Sequence, residues 1–120
     1  MKTIIAGSRN VTYEQLMTAL EQCPFTSEIT AVVCGCARGA DQHGQRWAQS
    51  RGLPVVHYPA EWDAYGKKAG PIRNYAMAQV AEALIAVRIG GPKSRGTSDM
   101  IWRAKQKGLR LFVLDLDEVD

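Results

Sequence analysis

Ile29-Thr-Ala-Val-Val-Cys-Gly-Cys-Ala-Arg-Gly-Ala-Asp41 sets the architecture in thirteen residues. Residues 29–34 are apolar and rich in β-branched side chains, as in a strand buried on both faces. Residues 35–39 carry two glycines and break the run as a tight turn. Residues 40–51 then read as a helix with Trp47 and Ala48 inward, stopped by Gly52. A buried strand, a turn and a helix form the repeating unit of a parallel sheet.

The alternation continues in both directions. Upstream, residues 3–6 are a short apolar strand ended by Gly7. Thr12-Tyr-Glu-Gln15 has the spacing of a capping box, and Leu16, Met17 and Leu20 make the stripe of a first helix. Downstream, residues 55–58 form a third strand, entered through Pro54. Residues 59–70 show no period and read as a long loop, a class that often carries function. Pro71 begins a third helix, whose expected apolar face is Ile72, Ala76, Met77 and Val80. Residues 83–87 are a fourth strand, 89–97 a second loop, and 98–107 a last helix with Met100, Ile101 and Ala104 inward. Residues 111–114 are a fifth strand, and Asp115 onward reads as an acidic tail. Five strands and four helices in alternation predict an α/β, Rossmann-like three-layer sandwich with a mainly parallel five-stranded sheet. No repeat or linker divides it, so residues 1–120 form one domain.

Apolar residues make up 46% of the chain and charged residues 22%, which excludes a disordered composition. The net charge of +3 permits a nucleic-acid partner without demanding one. No apolar run approaches the ~20 residues of a membrane span, and the N-terminal stretch is too short for a signal-peptide core. The expectation is a soluble cytoplasmic protein with no membrane partner. Three cysteines, an odd number, suit a reducing compartment. Cys34-Gly-Cys36 falls short of the four ligands of a structural zinc site, so no metal is expected, and Cys34 reads as a small apolar residue. His43 and His57 have no nucleophile or carboxylate partner in sequence and read as structural.

Four arginines occupy the glycine-bearing breaks: Gly7-Ser8-Arg9, Ala37-Arg38-Gly39, Gly70-Pro71-Ile72-Arg73 and Ser94-Arg95-Gly96. In an open parallel sheet such breaks gather at the carboxyl ends of the strands, where ligands bind. Arginines and helix N-termini facing one crevice make an anion pocket, and phosphate is the anion they suit. Gly35, Cys36, Ala37, Arg38 and Gly39 would offer backbone N–H groups and a guanidinium, or a plain turn. Asp41 would bond nearby N–H groups or accept from a ribose or base, with the structural role slightly favoured. Ser94, Thr97 and Ser98 would donate to phosphate or cap their helix. Arg73, read in the first turn of its helix, opposes the helix dipole and so calls for a partner anion. Lys67 and Lys93 add charge. Trp62 and Tyr65 would stack on a base as a lid, or cover a sheet edge as core residues, the commoner fate of Trp.

These residues resemble the SLOG superfamily, which joins DNA-processing protein A (the Smf proteins) and the LOG cytokinin-activating phosphoribohydrolases. The small YspA-like members, found in bacteria and phages, are the nearer match. The resemblance covers nearly the whole chain. It rests on Ala6-Gly-Ser-Arg9, Gly35-Cys-Ala-Arg-Gly-Ala-Asp41, Pro59-Ala-Glu-Trp62, Tyr65-Gly-Lys67, Ala69-Gly-Pro-Ile-Arg-Asn74 with Met77, and Ser94-Arg-Gly-Thr97. It implies a Rossmann-like domain that binds a nucleotide or nucleotide-derived small molecule through Gly7, Ser8, Arg9, residues 35–39, Asp41, Trp62, Tyr65, Lys67, Arg73, Asn74, Ser94, Arg95, Gly96 and Thr97. Arg73-Asn-Tyr-Ala-Met77 is similar to the LOG Arg-Lys-x-x-Met segment, which would make Arg73 catalytic if the protein is an enzyme. Ser94-Arg-Gly-Thr97 stands where those enzymes have a Gly-x-Gly-Thr phosphate loop.

Two positions depart from the pattern. Met100 occupies the place of the catalytic Glu in the LOG sequence Gly-Thr-x-x-Glu, and Cys36 replaces a usual glycine. The first departure favours binding or sensing over N-glycosidic hydrolysis, unless Asp99, Asp41 or Glu61 supplies the carboxylate. Single-stranded nucleic-acid binding, as in DNA-processing protein A, is a weaker expectation at this modest charge. No cofactor is expected. Exposed apolar helix faces on so small a domain would permit a homo-oligomer.

Overall fold

A computed structural model describes residues 1–35 and 39–118. The strands are β1 (Lys2–Gly7), β2 (Ala31–Cys34), β3 (Val55–His57), β4 (Ala83–Ile89) and β5 (Arg110–Leu116). They form one sheet in the order β3-β2-β1-β4-β5. Every pairing is parallel, so the sheet is wholly rather than mainly parallel. The helices are α1 (Tyr13–Gln22), α2 (Ala40–Ser50), the single turn α3 (Trp62–Tyr65), α4 (Ala69–Val80) and α5 (Arg95–Lys107).

Strand alternation sends side chains to two cores. Ile5, Val32, Ala83, Ile85 and Val87 pack against Leu16, Ala19 and Leu20 of α1 and Trp47 and Ala48 of α2. Ile4, Ala6, Val33, Leu84 and Ala86 pack against Met77 and Ala78 of α4 and Met100, Ile101 and Ala104 of α5. The result is the expected three-layer, Rossmann-like sandwich. Thr12 closes the expected capping box: Gln15 N–H donates to Thr12 Oγ1 at 3.1 Å, and Thr12 N–H donates to Gln15 Oε1 at 2.9 Å. Cys34 is fully buried, with Sγ 3.5 Å from His57 Nδ1.

Several sequence expectations need correction. Residues 59–70 are not one irregular loop: α3 and a 3-10 turn (Gly66–Lys68) occupy most of the span, and α4 starts at Ala69. Arg73 therefore lies in the second turn of its helix, where the dipole argument weakens. The earlier start also rotates the buried face of α4. Asn74, Met77 and Ala78 are buried, whereas Ile72 and Val80 are exposed, with Tyr75 beside them. α5 begins at Arg95 rather than at residue 98. Asp115 does not open a tail; it lies in β5 and grips Arg88 with two bonds, Nε to Oδ1 at 2.7 Å and Nη2 to Oδ2 at 3.1 Å. No helix among the described residues is long and apolar enough to cross a membrane.

Candidate functional site

The strand order reverses between β1 and β4: the chain runs outward through β2 and β3 on one side, and through β4 and β5 on the other. Segments leaving the carboxyl ends of β1 and β4 must therefore diverge, and they leave a crevice between them. A cavity of about 870 Å³ lies there, within the range of small-molecule sites. Gly7, Ser8 and Arg9 come to it from the end of β1. Ser94, Arg95, Gly96 and Thr97 come from the start of α5, and Arg73 and Asn74 from α4.

Ser8 ties two walls together. Its Oγ accepts Ile89 N–H at 2.9 Å and lies 2.7 Å from Ser94 Oγ. The Ser94 hydroxyl is thus engaged, and no side chain caps α5. Ser98 N–H closes the first turn on Ser94 O at 2.9 Å. The N–H groups of Arg95, Gly96 and Thr97 precede that turn and have no intrahelical acceptor. Ser98 is drawn elsewhere, with its Oγ accepting from Arg88 Nη1 at 3.2 Å.

Arg73 crosses from α4 to the end of β2. Its Nη1 donates to Gly35 O, with Tyr58 O at 3.5 Å, and its Nε donates to Asn74 Oδ1 at 3.0 Å. Nη2 has no partner among the described residues. Gly35 is buried under the guanidinium: a Cβ there would collide with Arg73 and lie 3.0 Å from Asp41 Oδ2. Gly39 has φ +77°, and a Cβ on it would strike the carbonyls of Ser8 and Arg9. Gly39 thus lets the start of α2 come against the turn after β1, and Gly35 leaves room for Arg73.

Asn74 is buried, and both protons of its amide are used. Nδ2 donates to Gly96 O at 3.2 Å and to Asp99 Oδ2 at 2.9 Å, while Oδ1 takes the Arg73 bond. Arg103 Nε also donates to Asp99 Oδ2, at 2.9 Å. Asn74 is therefore a bracket that fixes Arg73 relative to α5. Met100 is 1% exposed and forms floor rather than reactive surface.

The cations of the crevice are largely unpaired. Arg9, Lys67, Arg73 and Arg95 line it and have no carboxylate partner among the described residues. Lys93 pairs with Glu118 at 3.4 Å, but with side chains 77% and 50% exposed the pair contributes little. Asp41 is 5% exposed, lines the crevice and is not free.

Of the residues anticipated from sequence, Gly7, Ser8, Arg9, Asp41, Trp62, Lys67, Arg73, Asn74, Ser94, Arg95, Gly96 and Thr97 converge on the crevice. Gly35 and Gly39 are off the lining, but they lie against residues that form it: Arg73 and Asp41 for Gly35, Ser8 and Arg9 for Gly39. Cys36, Ala37 and Arg38 lie outside the described residues. Trp62 is 56% exposed, so it is not core; its ring edge lies over Gly70 at the rim. Tyr65 is also exposed and stays off the lining. Glu61 is exposed and likewise apart, whereas Asp99 lines the wall. Asn10 and Glu118 were not anticipated. Glu118 had no local signal, because its position depends on β5 running on to Leu116.

A sequence profile of the YspA, cpYpsA-related SLOG family matches residues 1–65. The chain is similar to the Gene 61 protein of Mycobacterium phage D29, at 32% identity over 119 residues, covering 90% of this chain and 91% of that protein. No solved structure matches it.

Proposed function

The chain belongs to the YspA, cpYpsA-related SLOG family, and from that premise we propose that its crevice binds a nucleotide or nucleotide-derived ligand by its phosphates. Membership itself points to a nucleotide-related function on a Rossmann-like fold. The observation that carries the finer reading is the convergence of Arg9, Lys67, Arg73 and Arg95, none with a carboxylate partner among the described residues, beside the uncapped start of α5. Unpaired cations and open N–H groups in one concavity suit an anion with several acceptor oxygens. Trp62, exposed at the rim, would cover a base. Binding or sensing is the reading favoured by Met100, which offers no carboxylate where a phosphoribohydrolase has its Glu.

Calorimetry with mononucleotides, NAD, ADP-ribose and cyclic nucleotides tests this. At least one should bind, and Arg73→Ala should weaken it by about tenfold to a hundredfold, the loss of one charge-assisted contact. Absence of binding across the whole panel ends the proposal. N-glycosidic cleavage is a second reading, supported by the presence of Asp99 and Asp41 on the crevice wall. It requires free base to accumulate from nucleoside monophosphates, and a null result at high protein concentration excludes it.

A further inference from the structure

Resting on the nucleotide reading, we propose that Asp99 reads the sugar: its carboxylate accepts hydrogen bonds from the vicinal hydroxyls of ribose and makes the crevice select ribonucleotides over deoxyribonucleotides. A carboxylate on the wall of an anion site repels the phosphate that the neighbouring cations attract. It is an asset only if it faces the part of the ligand that carries donors. In a nucleotide the donors nearest the phosphate are the sugar hydroxyls.

Asp99 is held for such a role. Its Oδ2 takes two donors, Asn74 Nδ2 and Arg103 Nε, each at 2.9 Å. The first ties α4 to α5, and the second lies within α5. Oδ1 has no donor among the described residues, and the side chain keeps 27% exposure on the crevice wall. One oxygen is therefore anchored and the other presented. Arg103 comes from the i+4 position, away from the lining, so the neighbouring cation orients the carboxylate without covering it.

The placement along α5 fits. Asp99 lies about one helical turn, ~5.4 Å, beyond the open N–H groups of Arg95 and Gly96. Helical side chains lean toward the N-terminus, which carries this carboxylate back toward the phosphate end. A phosphate at the helix start thus sets its sugar beside Asp99. The other two crevice carboxylates are less suited: Asp41 is buried and not free, and Glu118 is engaged by Lys93.

The test uses adenosine 5′-monophosphate, its 2′-deoxy and 3′-deoxy forms, and pyrophosphate as a sugar-free control, titrated calorimetrically into the full chain. The wild type should bind the ribonucleotide at least about tenfold more tightly than either deoxy form, as expected for a lost hydrogen bond to a charged group. Asp99→Asn should bring the ratio close to one and leave pyrophosphate affinity equal or higher. A merely structural Asp99 would weaken all four probes together. Arg103→Gln, outside the crevice, should reduce the ratio in part and guards against misfolding of the Asp99 variant. Equal wild-type affinity for the three nucleotides, or undiminished discrimination in Asp99→Asn, overturns the inference while phosphate binding stands. Failure of every probe, pyrophosphate included, overturns the nucleotide reading as well.

Discussion

Asn74 Nδ2 donates to Asp99 Oδ2 at 2.9 Å, joining the middle of α4 to the second turn of α5. Through the same amide, Arg73 is fixed relative to Gly96. The cation that reaches from α4 to the end of β2 and the helix start that borders the crevice are thus held by one side chain.

Removing that amide should be felt in both stability and binding. Asn74→Ala strips a donor from Asp99 and from Gly96 O, and the acceptor from Arg73 Nε, in a buried setting. A loss of about 1–3 kcal/mol in urea unfolding is expected. Nucleotide affinity should fall with it, because Arg73 loses its brace. Asn74→Asp should be worse, since it sets a second carboxylate beside Asp99.

Gly35 and Gly39 separate two effects. Gly35→Ala forces the Arg73 guanidinium off its site, so anion binding should drop while circular dichroism shows the fold retained. Gly39→Ala places a Cβ at φ +77° against two carbonyls. It should cost about 1–3 kcal/mol of stability in denaturant unfolding. Both residues were legible from the sequence as turn glycines. The reason each is needed came only with the approach of Arg73, Ser8 and Arg9, all distant along the chain from the glycine they touch.

Ser8→Ala removes the acceptor for Ile89 N–H and the partner of Ser94. An unsatisfied part-buried N–H costs about 1–3 kcal/mol. Thermal unfolding should report that loss, and the freed Ser94 should loosen the start of α5. Amide hydrogen exchange is expected to rise at residues 89–97 above the rest of the sheet.

Asp115 gives a pH signature. Hydrogen bonds from Arg88, aided by its charge, hold the carboxyl below its ordinary value of 3.8 despite some desolvation. The unfolded chain therefore binds the proton more readily, and stability from this group rises with pH through that window. It is fully present above about pH 4 and fades as pH falls through the lowered folded value. With its side chain 54% exposed, the pair should contribute only ~0.2–1 kcal/mol. Urea midpoints of Asp115→Asn and wild type, measured from pH 6 to pH 2, should converge at the acid end.

Local period was enough to determine the alternation of strands and helices, the two-sided burial of the strands and the capping box at Thr12. Those features depend on neighbours a few residues apart, and 29–41 already contains the pattern. The strand order β3-β2-β1-β4-β5 was decided only by pairing between distant segments, and it is this order that opens the crevice at the carboxyl ends of β1 and β4. Helix phase was also a tertiary matter: with α4 starting at Ala69, packing against α5 buries Asn74 and leaves Ile72 outside, against the apolar pattern. The same packing made Asn74 a brace between α4 and α5, and gave Asp99 one anchored oxygen and one with no donor among the described residues. Such assignments depend on which side chains meet across elements, a contact pattern that no local stretch of the chain encodes.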